Sequence, residues 1–215
     1  MIRTLSHSEA GGHAENEDAF DIRTHPDAPE CLLVAVADGQ GGRAGAGMAA
    51  RLACKICLDA ASSLTPAKLF LPSTWVTILA TADEAVSAEP AAGFTTLIGF
   101  FVAGDWLCGA SSGDSAVYYL SSGKKGEVIT ERQHKDPPVG SGAANFVPFG
   151  AQLQRPWIVL AMTDGAWKYA GWDTLCKVAA EQRDDAVIGR VLDRARLPRS
   201  GGLQDDFTLV VLSRG

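Results

Sequence analysis

The sequence predicts an α+β fold with helices packed on an antiparallel sheet or sandwich, and three observations carry that expectation. Seven short runs rich in branched and aromatic residues read as strands. The helical stripes between them do not alternate one for one with those strands, as a chain of βαβ units would require. The composition, 47% hydrophobic and 20% charged over 215 residues, is that of an ordinary globular protein with a core of its own. No repeat, low-complexity tract or charge block marks a boundary, so one domain over residues 1–215 is expected.

Two strands come first, Asp18–Thr24 and Cys31–Ala37, the second apolar throughout until Asp38 ends it. Between Gly45 and Leu64, Met48, Leu52, Ile56 and Ala60 recur every fourth residue and form a helical stripe. Residues 62–74 collect Pro and Ser, which interrupt regular structure, and a second stripe of Trp75, Val76, Leu79, Ala82 and Val86 follows. Phe94–Ala103, Trp106–Ser111 and Ser115–Leu120 are strands close enough in sequence to be antiparallel neighbours. Residues 132–150 concentrate Pro, Gly and Ser over a length that marks a functional loop. Trp157–Met162 is another apolar strand. Trp172–Ala180 and the stripe Val187, Ile188, Val191, Leu192 and Ala195 predict two helices, and Phe207–Ser213 a final strand.

The charge sum, 19 basic against 25 acidic residues or −6, argues against general binding to nucleic acid or to an anionic membrane. No apolar run approaches the ~18 residues of a membrane helix. The first residues lack the basic region and apolar stretch of a secretory signal. Five scattered cysteines, an odd number, do not form a disulfide framework, so a reducing cytoplasm is the expected compartment.

The polar residues that stand out are acids at strand ends, each beside glycine or a second acid: Glu17-Asp18, Asp38-Gly39, Gly113-Asp114, Asp164-Gly165 and Asp205-Asp206. Taken singly, each reads as turn chemistry. Asp38 and Asp164, however, follow apolar strands (CLLVAVAD and WIVLAMTD) without the immediate partner strand that a two-residue hairpin needs. Clustered carboxylates repel unless a cation neutralises them, and an all-oxygen set without Cys or His spacing selects a hard ion such as Mg²⁺ or Mn²⁺. Two such ions ~3.5–4 Å apart can lower the pKa of a shared water and hold phosphoryl oxygens.

In chain order, Asn16-Glu17-Asp18-Ala19, VAVADGQGG (Val34–Gly42), Gly93-Phe94-Thr95-Thr96, Ser112-Gly113-Asp114-Ser115-Ala116, Met162-Thr163-Asp164-Gly165 and Asp205-Asp206-Phe207-Thr208 resemble the PPM-type, or type 2C, metal-dependent serine/threonine phosphatases. The resemblance runs from about residue 13 to the end. It implies a sandwich of two antiparallel sheets flanked by helix pairs, with a binuclear Mn²⁺ or Mg²⁺ site at one edge. It also implies hydrolysis of phosphoserine or phosphothreonine without a phosphoenzyme. Asp38 would bridge both ions, Gly39 would lend one of them its carbonyl, and Asp164 and Asp205 would ligate the other. Glu17 and Asp18 match the acidic pair that acts on the attacking water, and Asp114 matches an aspartate tied to a weaker third ion in some members. A phosphorylated protein is the implied substrate, and a serine/threonine kinase its counterpart.

The chain also departs from that family. His13 stands where an arginine usually grips the substrate phosphate, replacing a fixed bidentate cation by a titrating one. His13 thus joins Asp18 and Asp38 as an expected catalytic residue, and Arg43, just beyond DGQGG, is the natural substitute in binding phosphate. Asp206 takes a position where asparagine is common and adds negative charge; in an extended Asp205-Asp206 segment only one side chain could face the site. The stretch from Leu120 to Trp157 is short for the family's mobile flap, which leaves an open cleft. Two rival readings stay open: a binding protein that keeps the fold without catalysis, favoured by His13, and a phosphoesterase of small molecules, favoured by the open cleft.

Other patterns have simpler readings. Gly39-x-Gly41-x-x-Ala44, with Asp59 twenty residues beyond Gly39, mimics a dinucleotide fingerprint, but Asp59 sits in a helical stripe with no strand before it. Gly109-Ala110-Ser111-Ser112-Gly113 spells a nucleophile elbow without the helix that must follow. Cys54-x-x-Cys57 lies inside a helix with no second pair, the pattern of a packed face.

Overall fold

The computed structural model describes residues 1–12, 15–41, 44–121, 126–181 and 186–215. His13 and Arg43 lie outside the described residues. Strands β1 (Arg3–Glu9), β2 (Asp18–His25) and β3 (Ala28–Asp38) precede helices α1 (Ala46–Ser62), α2 (Pro66–Leu69) and α3 (Pro72–Ser87). Then come β4 (Leu97–Ala103), β5 (Trp106–Ser112), β6 (Ala116–Ser121), β7 (Glu127–Val128), β8 (Val147–Gln152) and β9 (Trp157–Met162). Helices α4 (Asp164–Ala170), α5 (Trp172–Glu181) and α6 (Ala186–Ala195) precede the closing strand β10 (Phe207–Arg214).

Two antiparallel sheets, ordered β1-β10-β9-β6-β7 and β2-β3-β4-β5-β8, face one another as a sandwich. The central strands are apolar throughout because both of their faces are covered. In β3, Val34 and Val36 point between the sheets, whereas Leu33, Ala35 and Ala37 pack under α1 and α3. In β9, Trp157, Val159 and Ala161 point inward, and Ile158, Leu160 and Met162 meet the α4–α6 layer. The helix layers α1–α3 and α4–α6 thus complete the α+β sandwich that the sequence predicts.

Several details differ from expectation. The stripe of Met48, Leu52, Ile56 and Ala60 flanks the most buried face of α1: Leu52, Ile56 and Ala60 pack partly buried against the core, Met48 is exposed, and Ala49, Ala50, Ala53, Cys54, Cys57, Leu58 and Ala61 are buried outright. Small side chains let the helix lie close on β4, where a Cβ at Gly99 would stand 2.5 Å from Cys57 Sγ and 2.8 Å from Leu79 Cδ1. The CxxC pair is therefore core packing. The loop expected at 132–150 ends in strand β8, an edge strand that tolerates Pro148 because only one of its sides must donate to a neighbour. β1 carries almost no apolar signal, and its seven-residue register with β10 orders it. β4 starts at Leu97 and not at Phe94, since Thr95 and Thr96 turn their hydroxyls to other work.

Candidate active site

The strand-end acids converge at one rim of the sandwich. Asp18 opens β2 and Asp38 closes β3, and the antiparallel register sets them directly opposite one another. Like charges at such a pair destabilise a sheet unless something neutralises them. Asp114 comes from the β5–β6 connection between the two sheets, and from the other sheet come Asp164 in the first turn of α4 after β9 and Asp205 just before β10. Asp38, Asp114, Asp164, Asp205 and Asp206 line a cleft of about 350 Å³ together with Gly39, Gln40, Thr95, Thr96, Lys135 and Lys168. Asp18 lies beneath it, 6% exposed.

Hydroxyls hold this frame. Thr95 Oγ1 donates to the Asp38 carbonyl at 2.8 Å, and the Asp38 N–H donates to Thr96 Oγ1 at 2.9 Å. Thr163 Oγ1 donates to Asp18 Oδ2 at 2.8 Å and accepts the Thr208 N–H at 3.1 Å, so Thr163 stitches β2, β9 and β10 together under the acids. Ser8 joins that network through Thr208 Oγ1 at 2.8 Å and through the side-chain amide of Asn16 at 2.8 Å. Gly39 is required by a close approach: a Cβ there would stand 2.6 Å from the Glu17 carbonyl oxygen and 2.7 Å from that of Ala46. At Gly165 a Cβ would collide with the Asp206 carbonyl oxygen.

Asp205 sits in a bend, and Asp206 follows it outside strand β10. The buried Asp206 carboxylate accepts the Gly11 N–H at 2.7 Å and the Glu17 N–H at 2.6 Å. Its extra charge therefore anchors the segment that carries Glu17 and Asp18. Glu17 contributes its backbone to this junction, receiving the Gly39 N–H at 3.2 Å, and its side chain is not part of the cleft wall.

The electrostatics follow from packing so many carboxylates together. Burial, and then the charges of Asp18, Asp164, Asp114 and Asp205, push the Asp38 carboxyl up to about 9. Burial raises Asp18 to about 7 despite its bond from Thr163, with Asp206 and Asp164 adding repulsion. Asp164 is raised by burial and then by Asp114 and Asp205. Two lysines offset part of this: Lys135 pairs with Asp114, and Lys168 reaches Asp164 at 3.6 Å. Asp18 Oδ1 and Glu17 Oε2 are buried without a hydrogen-bond partner.

This donor set fits a hard divalent cation in its chemistry: oxygen ligands only, excess negative charge and orphaned carboxylate oxygens. Among the described residues no three His, Cys, Asp or Glu groups converge on one point as a finished cage. Asp114 and Asp164 line the cleft while paired with Lys135 and Lys168. The fold thus brings Asp18, Asp38, Gly39, Asp114, Asp164 and Asp205 to one rim, and Glu17 to its base. Sequence reasoning missed the roles of Thr163, Thr208, Ser8 and Lys168, although the Met162-Thr163-Asp164 and Phe207-Thr208 motifs contain the first two.

A family profile described as protein phosphatase 2C matches residues 6–137. No curated protein sequence matches the chain. Among solved structures, a bacterial serine phosphatase variant superposes with a TM-score of 0.83 at 16% identity, over 100% of this chain and 99% of that one. The catalytic domain of the serine/threonine protein phosphatase PstP, in complex with two manganese ions, gives 0.80 at 21% identity over 99% and 97%. PppA, described as a key regulatory component of the T6SS in Pseudomonas aeruginosa, gives 0.75 at 22% identity over 99% and 97%. Among the described residues no helix is long and apolar enough to cross a membrane.

Proposed function

The chain belongs to the protein phosphatase 2C family, and from that premise we propose that it hydrolyses phosphoserine or phosphothreonine in a phosphoprotein with two Mn²⁺ or Mg²⁺ ions held by the strand-end acids. The observation that carries the reading is the cross-strand pair of buried Asp18 and cleft-lining Asp38, with Asp114, Asp164 and Asp205 in the same cleft wall. A scaffold that bound only a partner would have no need to bear that repulsion. The similar PstP domain holds two manganese ions, which supports the same choice of metal here.

When bound, the ions would supply an activated water and a clamp on the phosphoryl oxygens. Asp38 would bridge them, Gly39 would offer its carbonyl, Asp164 and Asp205 would complete the second site, and Asp114 would serve a weaker third ion. Asp18, fixed by Thr163, would hold the attacking water's proton network. Lys135 and Lys168 reach the cleft and would meet the phosphate as the acids turn to the metals. His13 and Arg43 remain the candidates for gripping that phosphate from outside the described residues. A serine/threonine kinase acting on the same substrate is the proposed counterpart.

The test is turnover of a phosphothreonine peptide and of an aryl phosphate with Mn²⁺, with Mg²⁺ and with EDTA. Peptide turnover that needs the metal supports the reading. Turnover of small esters alone would move the function to a phosphoesterase of small molecules, and no turnover at all to a binding module.

A further inference from the structure

A second groove adjoins the cleft. It has a volume of about 460 Å³ and shares two residues with the cleft wall, Asp114 and Lys135. Its floor is aromatic: the Trp167 and Trp172 rings stack at 5.3 Å with a 14° tilt, and Trp172 also stacks on Tyr118 at 5.9 Å. Val128 closes the far side. The indole N–H of Trp167 donates to the Asp114 carbonyl at 2.9 Å, so the floor is tied to the cleft's own wall. Both tryptophans remain only partly buried. Thr130, Glu131 and Gln133 line the groove as well, with the shared Asp114 and Lys135, so the aromatic and aliphatic part of its surface lies beside a polar one.

We propose that this groove is a specificity subsite for a large apolar side chain next to the phosphorylated residue of a peptide substrate. The inference rests on the phosphatase reading and gives it a substrate class. An extended peptide advances ~3.3 Å per residue, and successive side chains point to opposite sides. A phosphothreonine with its phosphate in the cleft therefore sends a neighbouring side chain across the shared Asp114–Lys135 wall. A leucine removes apolar surface from water on the aromatic floor, and the rigid stacked rings lose little entropy in receiving it. Among the described residues, the chain between β6 and β9 contributes β7, β8 and the loops around them, and Thr130, Glu131, Gln133 and Lys135 of that segment line the groove themselves.

The experiment compares kcat/KM, with Mn²⁺ present, for two phosphothreonine peptides identical except that both neighbours of the phosphothreonine are Leu in one and Gly in the other. The wild-type protein is expected to favour the Leu peptide by about tenfold. Trp172→Ala is expected to reduce that ratio to below about threefold. Val128→Asp, at a partly buried position of the two-residue edge strand β7, should reduce it likewise and serves if Trp172→Ala folds poorly. Because each ratio is taken within one preparation, loss of folded protein cancels. A wild-type ratio near one, a preference for Gly, or a ratio undiminished in both variants would overturn the subsite while leaving the phosphatase reading intact. Failure of the phosphatase reading looks different: neither peptide is turned over by wild-type protein, and the subsite then falls with it.

Discussion

At the residue scale the account turns on Asp38 and its neighbours. Asp38 at about 9 and Asp18 at about 7 stand above the ordinary carboxyl value of 3.8. The metal-free folded chain thus binds more protons than the unfolded chain between those limits, and its stability falls as pH rises through that window. Metal-free protein should melt several degrees lower at pH 8.5 than at pH 5.5, and Asp38→Asn should flatten that slope while abolishing turnover. A Tm that rises with pH, or a slope unchanged in Asp38→Asn, would contradict the buried-acid pair. Thr163 offers a second check. Thr163→Val removes both of its side-chain hydrogen bonds and leaves the buried Asp18 carboxyl with Thr208 as its remaining hydroxyl donor, a loss of ~1–3 kcal/mol. Thr163→Ser should retain stability and activity in chemical unfolding and peptide assays, whereas Thr163→Val should retain neither. The acids themselves were legible in the sequence because each stands at a strand end beside glycine or a second acid, and Asp38 and Asp164 also follow apolar runs. The hydroxyls were not, since a threonine beside an aspartate reads the same whether it caps a helix, points to solvent or spans three strands.

At the scale of elements, the central strands and the larger helices could be read, and the edges could not. β3, β9 and β10 announce themselves by unbroken apolar runs, the mark of strands covered on both faces. β1 and β8 carry mixed side chains and owe their order to one neighbouring strand each, information that lies 200 residues away for Ser8 and Thr208. The stripe on α1 locates the helix but only the flank of its most buried face, because the helix presents alanines and cysteines to a sheet made approachable by Gly99. Gly99→Val should therefore drive Cys57, Leu79 and Trp75 apart and cost ~1–3 kcal/mol in urea unfolding. A neutral result would mean that α1 and α3 can shift outward freely.

At the scale of the whole molecule, two sheets that each bring acids to the same rim make a site that neither sheet holds alone. Asp18 and Asp38 belong to one sheet, and Asp164 and Asp205 flank strands of the other. A divalent ion bound there would tie the sheets together and stabilise only the folded chain, so Tm should rise with Mn²⁺ concentration by mass action. Asp38→Asn should lose most of that rise. The most direct measurement is the rate of phosphothreonine-peptide hydrolysis by the wild-type chain across an Mn²⁺ titration that begins in excess EDTA. The account predicts no turnover in EDTA and a rate that climbs with more than one ion per chain; full turnover in EDTA would contradict it.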